Sequence, residues 1–210
     1  MHRAHNVWMP NGDDAKWLIQ TGQDGLPAYQ YQQIEACIKA CGKRLGTAID
    51  GGAHVGLWAI HLLKAFKKVV GVEPIAANVE CLERNASNPK FTLVPMALTD
   101  YTGTIEMTSR GPRSFQWNIA GLAPATSPAI EVPCCTIDSM GLSDVDLIKL
   151  DVEGSEYEAL RGAEHTLQRD KPVVMIEEKL DPDKRATRYL EDLGMKRAGQ
   201  WRHDHLFTWG

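Results

Sequence analysis

"TAIDGGAHVG", Thr47 to Gly56, joins a short apolar run to a helical one and places three glycines, Gly51, Gly52 and Gly56, within six residues. Glycine loses more conformational freedom on folding than any other residue. A cluster of it between two regular elements therefore marks backbone that must bend sharply or be approached closely. "GTAID" reads as a strand and Val55–Lys67 as a helix. In an open α/β sheet such a first strand-to-helix turn is where ligands bind, beyond the carboxyl ends of the strands.

The same alternation continues outward. "PAYQYQQIEACIKACGK" is predicted as a helix, with Ile34, Cys37, Ile38 and Cys41 on one stripe and Gly42 ending it. "KVVGVE" is a buried-type strand, Pro74 leads into the helix "IAANVECLERN", and "KFTLVPMAL" is a third strand. The middle differs: "GTIEMTS", "RSFQWN" and "AIEVPCCTID" have β character with no helices between them, which predicts hairpin-like additions. Strand "VDLIKLDV", a helix from Ser155, strand "PVVMIEE" and a helix from Pro182 follow. "GMKRAGQ" and "HDHLFTW" then form a terminal antiparallel pair. Parallel strands joined by helices give a doubly wound α/β sheet covered on both faces. The expected division is an N-terminal extension and helix over 1–45, packed on a ligand-binding domain over 46–210.

With 210 residues, 43% apolar and 24% charged, the composition suits one soluble domain with a real core. A net charge of −4 disfavours a nucleic-acid binder. No apolar stretch is long enough to span a membrane, and the first residues lack the apolar segment of a signal peptide. Five cysteines without a CxxC pair suit free thiols in a reducing compartment, so a cytoplasmic location is expected. Cys37 and Cys41, one helical turn apart, read as core residues.

The glycine pattern is not the dinucleotide GxGxxG, since Gly52 and Gly56 are four residues apart and Asp50 precedes them. An acid at the mouth of the loop would repel a pyrophosphate and favour an ammonium or sulfonium. Glu73 ends the second strand about 20 residues further on, where an acid hydrogen-bonds ribose hydroxyls in such folds. Together these residues point to a nucleoside carrying positive charge.

"AIDGGAHVG", "VVGVEPIAANVECLERN", the block from "LVPMALTD" to Gly103, and "VDLIKLDVEGSEYEALRGAEHTL" resemble, in order, successive blocks of the FkbM-type family of S-adenosylmethionine-dependent methyltransferases, from Thr47 to Glu178. The resemblance implies a Rossmann-like class I fold with a seven-stranded, mostly parallel sheet, S-adenosylmethionine as cofactor, and methyl transfer to a hydroxyl oxygen. It places Asp50, Gly52 and Gly56 around the methionine part of the cofactor, with Gly51, Ala53 and His54 in the same loop. It puts Glu73, with Pro74 beside it, at the ribose, and Met96 and Ala97 near the adenine. The family often has Asn where His54 stands and a hydroxyl residue where Ala59 stands, which implies rearranged contacts to the cofactor carboxylate.

Methyl transfer from a sulfonium is an in-line displacement that needs an aligned acceptor and, for an alcohol, a base. Asp151, at the end of the strand beside the glycine loop, is the first candidate, with Glu153 two residues on. Base, cofactor amino-group ligand and metal ligand all remain open for Asp151. Asp151, Glu153 and Glu156 together suggest a divalent-cation site, but no further oxygen ligands stand at a recognisable spacing and no metal is assigned. Ser155 and Glu158 fit a capping box, and Glu156 sits in the favourable first turn. His54 is read as a loop residue able to titrate near neutrality or inert in solvent. His203 and His205 are read as one polar strand face. Glu177 or Glu178 borders the acceptor pocket, and Asp181–Pro182 is a helix start without chemistry.

The acceptor pocket is expected to use Arg110–Pro128, where Arg113, Phe115 and Trp117 would suit a sugar or aromatic acceptor with an anionic group. The acceptor is accordingly expected to be a small molecule or glycan, not nucleic acid or membrane, and a homodimer is possible through the sheet edge or first helix. Three other readings stand beside this one. They are a nicotinamide-dependent oxidoreductase, a nucleic-acid methyltransferase, whose N/D-P-P-Y/F strand end is replaced here by "LDVEG", and a catalytically silent cofactor-binding module.

Overall fold

The computed structural model describes residues 1–13, 25, 27–109, 117–120 and 127–210. The chain opens with a hairpin, β1 (His2–Ala4) and β2 (Val7–Met9), followed by α1 (Tyr31–Cys41). Alternation then begins: β3 (Thr47–Gly51), α2 (Ala59–Ala65), β4 (Lys68–Val72), α3 (Ala76–Asn85) and β5 (Phe91–Val94). Four strands, β6 (Ala97–Leu98), β7 (Gly103–Ser109), β8 (Trp117–Ile119) and β9 (Ile130–Cys135), form a separate sheet in the order β6-β9-β7-β8. The main sheet resumes with β10 (Val145–Leu150), α4 (Glu156–Arg161), α5 (Glu164–Asp170), β11 (Val173–Glu177) and α6 (Arg185–Asp192). It closes with the hairpin β12 (Met195–Trp201) and β13 (Asp204–Trp209).

The main sheet has seven strands in the order β12-β13-β11-β10-β3-β4-β5. Five of them, β11, β10, β3, β4 and β5, run parallel, and β13 joins β11 antiparallel. This is the doubly wound sheet with a terminal antiparallel pair that the sequence predicts. Successive residues of a strand face opposite sides, and two apolar clusters divide accordingly. Ile49, Ile148 and Val174 pack under α4, α5 and α6, whereas Ala48, Leu147 and Met175 pack with Cys37, Leu62 and Leu82 of α1, α2 and α3. β3 and β10 are buried at every position, as central strands covered on both faces must be. No helix among the described residues is long and apolar enough to cross a membrane.

Several boundaries differ from the sequence expectation. The helix after the glycine loop starts at Ala59, not Val55, because His54 and Gly56 take positive φ (53° and 94°) and the loop needs those residues for its turn. "KFTLVPMAL" divides at Pro95, whose missing N–H ends β5 in one sheet before β6 opens in the other. The helix from Ser155 divides at Gly162, where a Cβ would stand 2.2 Å from the Thr99 carbonyl oxygen. The last helix starts at Arg185 rather than Pro182. Asp181 serves the turn before it, accepting the Asp183 and Arg185 N–H groups at 3.0 and 3.3 Å. His203 lies in the β12–β13 turn and not on a strand face with His205, which is buried on β13. Of "RSFQWN", only Trp117 and Asn118 lie within the described residues.

The hairpin β1–β2 was not expected. Val7 and Met9 pack with Val55, Leu57, Ile60 and Cys81, and the Asn85 amide locks the join. Asn85 donates to the Trp8 and Val55 carbonyls (2.9 and 2.8 Å) and accepts the Trp8 N–H (2.7 Å). The hairpin thus rests on α3 and on the end of the glycine loop.

Candidate active site

From β3 the chain winds outward through β4 and β5, and the next pair to join the sheet, β10 and β11, lies on the other side of β3. The switch point falls between β3 and β10, where an open α/β sheet leaves a crevice at its carboxyl edge. Register brings Lys149 opposite Asp50 and Leu150 opposite Gly51 there.

That register corrects the reading of Asp50. Its carboxylate is not an open charge at the loop mouth; it is fully buried, and the Lys149 ammonium lies 3.0 Å from Oδ1. Burial pushes the Asp50 carboxyl up from its ordinary value, and Lys149 pulls against that shift. Lys149 Nζ also donates to the carbonyls of Gly51 (3.1 Å) and Gly52 (2.9 Å), which accounts for all three ammonium protons. The acid at the loop mouth is therefore neutralised from the next strand.

The glycines have specific structural causes. A Cβ on Gly52, at φ +68°, would stand 1.8 Å from the Asp151 carbonyl oxygen, so the two loops touch through backbone alone. Gly51 makes room for Leu98 and Leu150, and Gly56 for Leu82 of α3, not for a neighbouring strand. Asp50, Gly51 and Gly56 line neither of the cavities described next.

The first cavity, about 80 Å³, lies over the ends of β3 and β4. Gly52, His54, Glu73, Pro74, Met96, Ala97, Asp151 and Glu153 all line it, as do Ile75 and Trp117. Glu73, only 5% exposed, braces the loop as well as bordering the cavity. Its Oε2 accepts the His54 N–H at 2.9 Å, and its Oε1 accepts from the Ile75 N–H (3.0 Å) and the Asn78 amide (3.1 Å). Burial raises the Glu73 carboxyl, and these donors oppose the shift. A largely apolar floor from Val72, Ile75, Met96, Ala97 and Leu98, with Glu73 at the strand end and Asp151 and Glu153 on the far wall, fits a nucleoside, whose base is flat and whose sugar offers hydroxyl donors.

The second cavity, about 230 Å³, shares Gly52, His54, Asp151 and Glu153 with the first. Ala53, Leu57, Trp58 and Tyr29 form apolar and aromatic parts of its wall, and Glu177, Lys149 and Lys179 complete it. Glu177 is pushed up to about 9 by burial and by the charge and hydrogen bond of Asp151, so at neutral pH it holds a proton. Tyr29 is raised well above the usual phenol value by burial and by the same carboxylates, and stays protonated too. Oxygen atoms of Asp151, Glu153 and Glu177 all come within 4.8 Å of one another. That is close enough to grip a cation between them, but the hydrogen bond between Asp151 and Glu177 already relieves their mutual repulsion.

Glu156 does not belong to this group. It is buried, and its carboxylate accepts the Val152 N–H (3.0 Å) and the Gly154 N–H (3.1 and 3.2 Å), which folds the turn after β10. Burial pushes it up to about 8. The expected capping box is not formed: Ser155 Oγ donates to the Val152 carbonyl (3.1 Å), and Glu158 pairs with Arg185 (2.7 Å). Glu153, at φ 52°, takes the left-handed backbone that this turn requires. His54 is half-buried on the wall of both cavities and is no neutral-pH titrator, since desolvation lowers it to about 4. Glu178 turns away from the crevice and binds Thr187, with Oε1 accepting the N–H at 3.2 Å and Oε2 the hydroxyl at 2.7 Å.

Sequence reasoning missed Lys149, Tyr29 and Trp58. Lys149 carried a signal, a lone cation flanked by Leu147, Ile148 and Leu150 in a fully buried strand, "VDLIKL". Arg113 and Phe115, expected at the acceptor, lie outside the described residues, whereas Trp117 lines the first cavity.

Residues 50–206 match the family model of the methyltransferase FkbM domain. No curated protein matches the chain. Among solved structures, a methyltransferase FkbM from Methylobacillus flagellatus KT superposes with a TM-score of 0.55 at 20% identity, over 79% of this chain and 44% of its own. The present chain thus spans less than half of that relative. A ribosomal protein L11 methylase from Lactobacillus delbrueckii subsp. bulgaricus gives 0.52 at 16% identity, over 87% of this chain and 80% of its own. A precorrin-6y C5,15-methyltransferase from Geobacter metallireducens GS-15 gives 0.50 at 15% identity, over 93% and 92%. These likenesses establish a class I methyltransferase fold, and with the family match over three quarters of its length the chain belongs to the FkbM methyltransferase family.

Proposed function

We propose that this methyltransferase uses S-adenosylmethionine and methylates a hydroxyl oxygen of a small molecule or glycan. The observation that carries the reading is the pair of cavities meeting across Gly52, His54, Asp151 and Glu153. Glu73, Pro74, Met96 and Ala97 of the first cavity would hold the nucleoside, and the second cavity would hold the acceptor. When bound, the cofactor supplies a methyl group on a sulfonium, already electrophilic.

The chain's own residues then have three tasks. Tyr29, Leu57 and Trp58 exclude water and orient the acceptor, which recovers the entropy a free encounter would lose. Asp151 takes the hydroxyl proton on a carboxylate oxygen. Glu177, protonated and hydrogen-bonded to Asp151, holds that carboxylate in place. With Asp50 cancelled by Lys149, the carboxylates of the shared wall are also the groups left to attract a sulfonium. They make the second cavity better suited to a neutral or cationic acceptor than to the anionic one suggested by Arg113. The net charge of −4 agrees with a small-molecule or glycan acceptor rather than nucleic acid.

The test is transfer of label from methyl-labelled S-adenosylmethionine to a panel of sugars, polyols and phenols, with the product's new bond assigned by mass spectrometry. A methyl ether absent from an Asp151→Asn reaction supports the reading. Methylation on nitrogen, or none on any acceptor despite tight cofactor binding, would overturn the O-methyl assignment or favour a silent cofactor-binding module.

A further inference from the structure

The buried ammonium of Lys149 has more to do than balance Asp50. It reaches across from β10 and ties together three acceptors of the β3 turn: Asp50 Oδ1 at 3.0 Å, the Gly51 carbonyl at 3.1 Å and the Gly52 carbonyl at 2.9 Å. A buried ion pair stabilises a fold little better than a well-packed apolar pair would, so stability alone is a weak reason for a lysine in a central strand. The consecutive carbonyls of Gly51 and Gly52 provide the better reason. Gly52 N–H and Ala53 N–H both donate to the Val72 carbonyl (3.0 Å each) on the other side of the strand. The Asp151 N–H donates to the Gly51 carbonyl at 3.1 Å. The turn is thus gripped from β4 by its N–H groups and from β10 by its carbonyls, and Lys149 supplies the side-chain half of the second grip.

We propose that Lys149 is the positioning residue of the cofactor loop. It fixes the backbone at Gly51–Gly52 so that Gly52 and His54 present a preformed wall to both cavities, and it cancels Asp50 so that the negative charge facing a ligand comes from Asp151 rather than from the loop. The cofactor half of this statement rests on the methyltransferase reading above; the loop half does not. Preorganised positioning of this kind is felt as affinity, because a loop that must be ordered on binding gives up part of the interaction free energy.

The experiment separates position from stability with two double variants. Asp50→Leu with Lys149→Met replaces the pair by apolar side chains and removes the donors to Gly51 and Gly52. Asp50→Asn with Lys149→Gln removes both charges but keeps an amide that can donate to the carbonyls. Titration with S-adenosylhomocysteine and hydrogen exchange at Gly52, Ala53 and His54 are read on each, with thermal unfolding as the control. The expectation is at least tenfold weaker binding and at least tenfold faster exchange in the Leu/Met variant, with most of both losses recovered in the Asn/Gln variant. Wild-type affinity and exchange in a folded Leu/Met variant would overturn the proposal. So would an Asn/Gln variant whose loop exchanges as in Leu/Met, or, where Leu/Met does not fold, an Asn/Gln variant whose loop exchanges more than tenfold faster than wild type. A wild-type protein that does not bind S-adenosylhomocysteine sinks the cofactor assignment instead, and the exchange data then decide the loop half alone.

Discussion

Lys149 Nζ lies 3.0 Å from Asp50 Oδ1, with both side chains buried on adjacent parallel strands at the same register position. The pair joins β3 to β10 at the switch point and decides which carboxylates face the crevice. Breaking a buried pair from one side leaves an uncompensated charge, which costs about 3–5 kcal/mol. Lys149→Met should therefore lose stability of that order in urea unfolding at neutral pH.

The same variant should show an altered pH dependence. Burial raises the Asp50 carboxyl even with the lysine present, and without it the folded state holds the proton more firmly. An acid raised in the folded state binds more protons folded than unfolded, so stability falls as pH rises above the unfolded value. Lys149→Met should regain stability relative to wild type as the pH is lowered from neutrality toward the ordinary aspartate range. A constant difference across that range would show that Asp50 is not the residue responsible.

Gly52→Ala puts a Cβ within 1.8 Å of the Asp151 carbonyl oxygen at φ +68°. The left-handed backbone alone costs an L-residue about 1–2 kcal/mol, and the clash moves one loop off the other. The loss in unfolding free energy should exceed that figure, and S-adenosylhomocysteine affinity should fall with it. Gly141→Ala makes the control: the backbone is left-handed (φ 60°, ψ 31°) with nothing within 4 Å of the added Cβ, so it should cost the backbone term and leave affinity intact.

How much of this was legible in the sequence follows the physics of each feature. Local periodicity and turn chemistry are short-range, so the alternation, the glycine turn, Glu73 and Asp151 could be read directly. The pairing of Asp50 with Lys149 depends on strand register between segments about a hundred residues apart, and no local pattern carries it. The capping box failed for a related reason. Arg185, the first residue of α6, claims Glu158 at 2.7 Å, and the buried turn claims Glu156 instead. Tyr29 reaches the second cavity from the segment before α1, a tertiary placement that composition does not indicate.

Glu177 gives a pH-dependent prediction of its own. Burial and Asp151 hold it near 9, above the ordinary carboxylate range. By the same sign argument Glu177 contributes stability that is lost as pH rises from its ordinary value of 4.5 to about 9. Glu177→Gln keeps a hydrogen-bond donor to Asp151 without a titrating proton. It should flatten the stability profile over that window, while Glu177→Leu should also remove the support of Asp151 and reduce turnover further. Equal turnover in the Gln and Leu variants would mean that the hydrogen bond has no part in the reaction.

The N-terminal hairpin is held by the Asn85 amide, with two carbonyls accepting and one N–H donating at 2.7–2.9 Å. Asn85→Ala leaves those backbone groups without partners, at about 1–3 kcal/mol. Hydrogen exchange at Trp8 should rise by at least tenfold, with the seven-stranded sheet unchanged. Uniform destabilisation of the sheet would show that the hairpin is no separate layer.

The central claim is that the first cavity receives the nucleoside of S-adenosylmethionine, with Glu73 at its edge. Calorimetric titration with S-adenosylmethionine, S-adenosylhomocysteine and NAD⁺, on the wild type and on a folded Glu73→Ala variant, tests it most directly. The account predicts binding of the first two, weakened at least tenfold in the variant, and no binding of NAD⁺. Binding of NAD⁺ in their place, or an affinity for S-adenosylhomocysteine that Glu73→Ala leaves unchanged, would contradict it.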